Sequence, residues 1–195
     1  MTWQITEKKK YDTLYLERGY WPENVVRGYG DLCKNLAESI IGPFRLLDIG
    51  CGPGSSIEIA RSYGIDAFGV DISSALTKYW ETNEINAYVA CADNLPFDDF
   101  SFDIITAWDV MEHIPKEGIP SCLMEMKRVA KNNSLISLII CLEEERHKHD
   151  GIQCHMTIES EDTWLRTFRA CGLMVMKANL DVGRTHLLAS LRVKK

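Results

Sequence analysis

Acidic side chains follow three successive apolar runs of this 195-residue chain. Asp48 ends "LLD", Asp71 ends "GVD" and Asp93 stands in "CADNLPF". A carboxylate accepts hydrogen bonds, so each acid could bind a hydroxyl or amino group of a polar ligand. Between the first two acids, glycines at positions 50, 52 and 54 remove the side chains from one turn, which lets a ligand approach the backbone closely.

The position of each acid relative to this turn indicates the group that it would bind. Asp48 directly precedes the glycines, where its charge repels a pyrophosphate but suits a positive amino group. Asp71 ends the next run, where its two oxygens can accept both hydroxyls of a ribose. Asp93 follows the third run, where it can bind an adenine amino group. Singly, Asp71 and Asp93 could equally be turn acids, but together the three acids match an amine, a ribose and an adenine.

An alternation of strands and helices is predicted to position these acids. Short apolar runs predict strands at 44–49, 66–70, 87–91, 102–108 and 135–142. Helical patterns lie between them at 54–63, 73–82, with Ser73 as N-cap, and 116–130. A helix capped by Ser160 then precedes two strands, at 173–178 and 186–193, that are expected to form an antiparallel hairpin. The pattern predicts an α/β fold with a doubly wound, mostly parallel sheet and helices on both faces.

The segment before the first strand, residues 1–42, is predicted to cover the sheet. Apolar residues from Val25 to Ile40 recur at helical spacing, and the basic run Lys8 to Lys10 is interpreted as a solvated tail. The segment is also rich in aromatic side chains, which either form a lid over a bound ligand or pack against the sheet. The substrate-side candidates of this segment are Tyr11, Tyr15 and Tyr20.

Four motifs resemble those of one known family. "LLDIGCGPG", "GVDIS", "ADNLPF" and "FDIITAWDVMEHIP" are similar, in this order and spacing, to the successive motifs of class I S-adenosylmethionine-dependent methyltransferases. The resemblance covers residues 44–140 closely and the remainder more loosely. It implies a single Rossmann-like domain over residues 1–195, with a seven-stranded sheet in the order 3-2-1-4-5-7-6. It also implies S-adenosylmethionine as cofactor and S-adenosylhomocysteine as product.

The resemblance assigns the cofactor contacts to the strand ends. Asp48 and the glycine loop would hold the methionine end, the acid after the second strand the ribose, and the residues around Asp93 the adenine. The complete set of implied cofactor residues is Asp48, Gly50, Cys51, Gly52, Gly54, Asp71, Ile72, Ala92, Asp93, Asn94, Trp108 and Asp109.

Candidates for the chemical step follow the fourth and fifth strands. Glu112 and His113 stand on the expected substrate side, although an E-H-I sequence is common in the family and could shape the pocket rather than take a proton. The substrate-side loop 143–160 contains His155, which is a second catalytic candidate because it stands just before the last helix. This loop is rich in histidine, but its residues lack a standard metal-ligand spacing, so no metal is expected.

Composition and motifs limit the class of molecule that could accept the methyl group, but they do not identify it. A net charge of −6 argues against a nucleic-acid substrate, and "AWDV" replaces the N-P-P-Y type of motif that would methylate adenine or glutamine amino groups. We therefore expect a small molecule, or a glycan or lipid intermediate, methylated on oxygen. No membrane span or signal peptide is expected. The seven scattered cysteines indicate reduced thiols and hence a cytoplasmic protein. The sequence does not indicate the oligomeric state. A non-catalytic cofactor- or partner-binding protein of the same fold, or an NAD-dependent oxidoreductase, are the alternatives.

Overall fold

A computed structural model describes residues 2–19, 28–40, 42–143, 148–149, 151–180 and 186–193. The chain divides into two compact units, residues 1–92 and residues 93–195. The strands are β1 Arg45–Ile49, β2 Asp66–Asp71, β3 Ala87–Val89, β4 Phe102–Trp108, β5 Ala130–Cys141, β6 Lys148–His149, β7 Ile152–Gln153, β8 Leu173–Leu180 and β9 His186–Val193.

The sheet topology confirms the predicted fold class. Seven strands follow the order β3-β2-β1-β4-β5-β9-β8, while β6 and β7 pair separately as a short ribbon. With that ribbon set aside, this is the predicted order 3-2-1-4-5-7-6. The pairs β1–β2, β2–β3 and β4–β5 are parallel, and β9 runs antiparallel to both β5 and β8. The candidate cofactor residues predicted from the sequence therefore lie at or just after the carboxyl ends of the parallel strands.

The first unit places the glycine loop between a buried strand and a buried helix. Its helices are α1 Trp3–Glu17, α2 Tyr29–Ser39, α3 Ser55–Ser62 and α4 Thr77–Thr82, the last preceded by a 3₁₀ turn at Ser74–Leu76. Ser73 caps this turn, as predicted, because its hydroxyl accepts from the Ala75 N–H. Leu46, Leu47 and Ile57 are fully buried, which fixes the ends of β1 and α3 around the loop.

The N-terminal segment corrects one prediction. Lys8 to Lys10 do not form a solvated tail, because they lie inside α1. Lys8 pairs with Asp12 at 2.8 Å, and Lys10 pairs with Glu7, and such pairs one turn apart stabilise a helix. The predicted helix before β1 begins at Tyr29 in the structure, while residues 20–27, including Tyr20, lie outside the described residues.

The second unit contains α5 Ile119–Val129 and α6 Glu161–Ala170. α6 begins directly after its predicted cap, because the Ser160 hydroxyl accepts from the Thr163 N–H and acidic residues occupy its first turn. Trp164 and Phe168 stack in the core at 6.0 Å between ring centroids. Among the described helices, none combines the length and the apolar character that a bilayer span requires.

Candidate functional site

The glycine loop of the first unit is held in one conformation by backbone contacts. The N–H groups of Gly50 and Cys51 both donate to the Val70 carbonyl, at 2.8 and 3.0 Å, which ties the loop to β2. Gly54 has a φ of +98°, and a Cβ there would lie 2.5 Å from Ile85 Cγ2. Only glycine fits this position, so the turn into α3 keeps a bare backbone surface.

Asp48 is a buried carboxylate at the base of this loop. Only 6% of the residue is exposed, and the Ser56 hydroxyl, from the first turn of α3, donates to its Oδ2. A buried carboxylate needs hydrogen bonds or a cation to offset its desolvation. The binding of a positive amino group by Asp48 stays a prediction.

Asp71 joins the loop to the end of β2. The Gly52 N–H donates to Oδ2 at 3.0 Å and the Ser73 N–H to Oδ1 at 2.9 Å. Burial raises the pKa of Asp71, and the backbone N–H donors lower it without cancelling that rise. On the other side of the loop, Trp80 Nε1 donates to the Gly52 carbonyl at 2.9 Å. The Ile72 N–H also hydrogen-bonds to this carboxylate, whose two oxygens offer about four lone-pair sites in all, so acceptor capacity remains for a ligand hydroxyl.

A residue that the sequence analysis missed connects α1 to the segment after β2. Asp12 Oδ1 accepts from the Ser73 hydroxyl at 2.7 Å and from the Ser74 N–H at 2.8 Å. Burial raises the pKa of Asp12, but hydrogen bonds from Lys8 and Ser73 lower it further, so the net shift is downward. Tyr11 and Tyr15, on the same helix, are half-buried. No local sequence pattern reveals this contact, because Ser73 and Ser74 lie about sixty residues from Asp12 in the chain.

In the second unit, β4 ends in residues held by its neighbour β5. Trp108 Nε1 donates to the Ser137 hydroxyl at 3.0 Å. The Asp109 N–H donates to the Ile139 carbonyl at 2.8 Å, and Asp109 has a φ of +54°, which turns the chain sharply out of the strand. Both side chains are partly exposed, as cofactor-lining residues need to be.

The segment around Asp93 is fixed by a pair of charged residues on α5. Asp93 is half-buried and Asn94 is exposed. Just after them, the Leu95 N–H donates to Glu125 at 2.9 Å, and the Leu95 carbonyl accepts from Arg128 at 3.0 Å. The sequence analysis did not identify Glu125 and Arg128, which position this segment rather than touch a ligand.

Among the described residues, Glu112, His113 and His155 form a group of three side chains that could together hold a metal ion. One ligand atom from each of the three lies within 4.8 Å of those of the other two. The two imidazole rings meet edge to face, with 4.9 Å between their centroids. Sequence reasoning placed His113 and His155 separately, and the structure brings them together.

Glu112 is the buried member of this group. It is 0% exposed, and its Oε1 accepts from the Cys141 N–H at 2.8 Å. Burial, followed by the nearby charge of Asp109, raises the pKa of Glu112 to about 8. Within the part of the chain that the structure describes, Oε2 has no hydrogen-bond partner. Glu112, which was predicted to face the substrate, is therefore a buried carboxyl group beside two histidines.

Backbone carbonyls fix the orientation of both histidines. His113 Nδ1 lies 3.1 Å from the Cys154 carbonyl, and His155 Nδ1 lies 2.9 Å from the Glu143 carbonyl. A carbonyl only accepts, so each Nδ1 carries the proton and each Nε2 carries the lone pair. His147 and Asp150, from the histidine-rich loop, lie outside the described residues.

Comparisons with known proteins agree on one family. Residues 47–138 match a family model described as a methyltransferase domain. The norajmaline N-methyltransferase of Rauvolfia serpentina is 29% identical over 106 residues, which cover 50% of this chain and 36% of that protein. The ubiquinone biosynthesis O-methyltransferase of Coxiella burnetii is 36% identical over 76 residues, which cover 36% of this chain and 32% of that protein. The chain thus spans about a third of the length of these curated relatives.

Solved structures share the fold over nearly the whole chain. The 1,6-didemethyltoxoflavin-N1-methyltransferase of Burkholderia thailandensis, which contains S-adenosylhomocysteine, has a TM-score of 0.72 at 13% identity and covers 98% of this chain and 88% of its own. The cyclase SpnF also has a TM-score of 0.72, at 18% identity, with 98% and 96% covered. At these identities the likeness shows the fold alone.

Proposed function

Since residues 47–138 form a methyltransferase domain of the class I S-adenosylmethionine-dependent family, we propose that this chain transfers a methyl group from S-adenosylmethionine to an oxygen of a small acceptor. The observation that carries the proposal is the contact between the glycine loop and the Asp71 carboxylate, which the Gly52 N–H makes at 3.0 Å. This hydrogen bond holds the glycine loop, whose backbone is accessible to a ligand, next to a buried carboxylate.

The residues of the first unit fit the cofactor. Asp48 supplies a buried negative charge for the amino group, and the glycine loop leaves room for the methionine end. Asp71 supplies acceptors for the ribose hydroxyls. The remaining proposed contacts, Ile72, Ala92, Asp93, Asn94, Trp108 and Asp109, follow the same motifs.

The protein's own residues have a limited chemical task. When bound, S-adenosylmethionine supplies an electrophilic methyl group, so an acceptor hydroxyl needs positioning, exclusion of water and loss of its proton. His113 and His155 carry their lone pairs on Nε2, because both Nδ1 atoms face carbonyls. We assign these two residues to the deprotonation of the acceptor, with Glu112 beside them.

The acceptor class is proposed from charge and from one relative. The acidic chain, with a net charge of −6, disfavours nucleic acid and leaves a small molecule, or a glycan or lipid intermediate. The Coxiella burnetii relative is an O-methyltransferase, which supports an oxygen nucleophile, while the Rauvolfia serpentina relative makes nitrogen the alternative to be tested.

A thermal-shift series tests the cofactor. Protein freed of bound ligand is mixed with S-adenosylmethionine, S-adenosylhomocysteine or NAD. A ligand at 100 times its dissociation constant adds about 2.7 kcal/mol, which for this chain length raises the unfolding midpoint by roughly 5–10 °C. We expect the shift with both adenosyl ligands and not with NAD. A shift with NAD alone would contradict the proposal and support an oxidoreductase.

Transfer is then measured with the labelled methyl group of the cofactor on panels of hydroxylated and aminated small molecules. We expect label only in the hydroxylated panel. Cofactor binding without transfer to either panel would indicate a non-catalytic binding protein, and transfer to amines alone would replace oxygen by nitrogen.

A further inference from the structure

We propose that Glu112, His113 and His155 bind a divalent transition-metal ion. Their ligand atoms lie within 4.8 Å of one another, although His155 is 42 residues from His113 in the sequence. Two imidazoles and one carboxylate form a ligand set that binds zinc and other first-row divalent ions in proteins.

The orientation of the histidines is that of metal ligands. A histidine that binds a metal through one ring nitrogen usually donates the other N–H to a carbonyl or carboxylate, which fixes the ring and its tautomer. His113 and His155 both place Nδ1 against a backbone carbonyl, at 3.1 and 2.9 Å. Each Nε2 is therefore the nitrogen with the lone pair.

Glu112 adds an independent observation. It is fully buried, and within the described residues its Oε2 makes no hydrogen bond, whereas Oε1 is held by the Cys141 N–H. An uncompensated buried carboxylate is costly, and a dication next to it would remove that cost. The contact at Oε1 orients the carboxylate in the way that outer contacts orient metal ligands.

The spacing decides how much the group must move. Ligand atoms on a tetrahedral ion with bonds of about 2.0–2.1 Å lie roughly 3.4 Å apart. Ligand atoms within 4.8 Å therefore need to approach by up to about an ångström and a half, which side-chain torsions can supply. Imidazole favours zinc, iron, nickel or copper over magnesium, because magnesium prefers an all-oxygen shell.

Three protein ligands leave positions for water or for an acceptor oxygen. This part of the inference rests on the proposed function: with an ion bound, both Nε2 lone pairs would be metal ligands, so the ion would replace the imidazoles in promoting deprotonation by lowering the pKa of the acceptor hydroxyl, whose proton would pass to water. His113 is the partly exposed member of the group and marks the side from which an acceptor would reach the ion.

Metal titration of the chelator-treated chain tests the site without measuring activity. Zinc is titrated by calorimetry, and the visible absorption of cobalt reports the coordination of the ion. The variants are Glu112→Gln, His113→Gln and His155→Gln, and the control is His186→Gln, a described histidine outside the group. We expect one ion per chain, at least a tenfold loss of affinity in each variant of the group, since even second-shell changes cost about 10–100-fold, and no change in the control.

Each other outcome overturns the proposal. Equal affinity in all four variants would place the ion elsewhere, and an absence of binding to the folded wild type would remove it. A thiolate-to-cobalt charge-transfer band would assign the ion to cysteines instead. If the Glu112→Gln protein does not fold, because Glu112 is buried, the His113→Gln protein still tests the site, because His113 is partly exposed. S-adenosylhomocysteine affinity, measured on the same samples, separates failure of this site from failure of the proposed function.

Discussion

Asp71→Asn separates the two tasks proposed for the carboxylate at the end of β2. In the structure, Oδ2 accepts from the Gly52 N–H and Oδ1 from the Ser73 N–H. Asparagine keeps the shape of the side chain but offers one acceptor oxygen and one donor nitrogen. One backbone N–H therefore loses its acceptor, and the proposed ribose contact loses its negative charge.

The magnitude follows from these lost contacts. A hydrogen bond to a charged group contributes about 1.5–3 kcal/mol, and a factor of ten in affinity corresponds to about 1.4 kcal/mol. We therefore expect the affinity for S-adenosylhomocysteine to fall about 10- to 100-fold. The unpaired backbone N–H costs about 1–3 kcal/mol, so the unfolding midpoint of the free protein falls by at most about 10 °C and the variant remains folded at room temperature.

Calorimetric titration with S-adenosylhomocysteine measures the affinity, and Asp66→Asn provides the matched control. Asp66 lies at the start of the same strand, where it is exposed and pairs with Arg45 at 3.3 Å. Exposed pairs contribute little, so this substitution should leave the affinity within about twofold. A folded Asp71→Asn protein that binds as tightly as the Asp66→Asn control would refute the assignment of Asp71 to the ribose.

The pH dependence of stability tests the burial of Asp71 independently of any ligand. Burial raises the pKa of Asp71 above its value in the unfolded chain. The stability that such a carboxyl contributes is greatest below the unfolded pKa and is lost as the pH rises through the folded pKa. The midpoint of the wild type minus that of Asp71→Asn should therefore increase as the pH falls from neutrality towards the ordinary pKa of an aspartate, 3.8. A difference that shrinks over this range would contradict the effect of burial.

Two further substitutions test how the loop of the first unit is supported. Asp12→Ala removes the acceptor for the Ser73 hydroxyl, and we expect the midpoint in a thermal scan to fall by about 2–6 °C; an unchanged midpoint would show that this contact between α1 and the segment after β2 does not stabilise the fold. Gly69→Ala places a Cβ 2.6 Å from Cys51 Sγ, which costs about 1–3 kcal/mol in denaturant titration. Its control, Gly30→Ala, meets nothing within 4 Å and should stabilise α2 by about 0.4–1 kcal/mol; equal losses would exclude the steric account.

Local sequence patterns were sufficient to predict those elements whose ends are defined by neighbouring residues. β4 has the bounds that the sequence predicts and α6 has the predicted start, because an apolar run and a serine cap define them without distant partners. By contrast, α1 buries only Glu7 and Leu14 and has no apolar face to recognise. β5 begins at Ala130, before its apolar run, because Ala130 pairs with Phe102 of β4 and regular pairing resumes only at Ile104 and Leu135, after an irregularity that takes up the polar residues between. Such pairing is a tertiary effect that no periodicity reveals.

The group of Glu112, His113 and His155 illustrates the same limit at the site itself. Its assembly depends on main-chain bonds: the Glu112 carbonyl accepts from the Met156 and Thr157 N–H groups, at 2.8 and 3.0 Å. These bonds place the strand-like segment that carries His155 along the turn that carries His113. Since backbone bonds do not depend on side-chain type, the sequence offers no spacing rule from which the pairing could be predicted. The ligand set is therefore a product of the fold, and substitutions that disturb these backbone contacts should weaken metal binding even where all three side chains are intact.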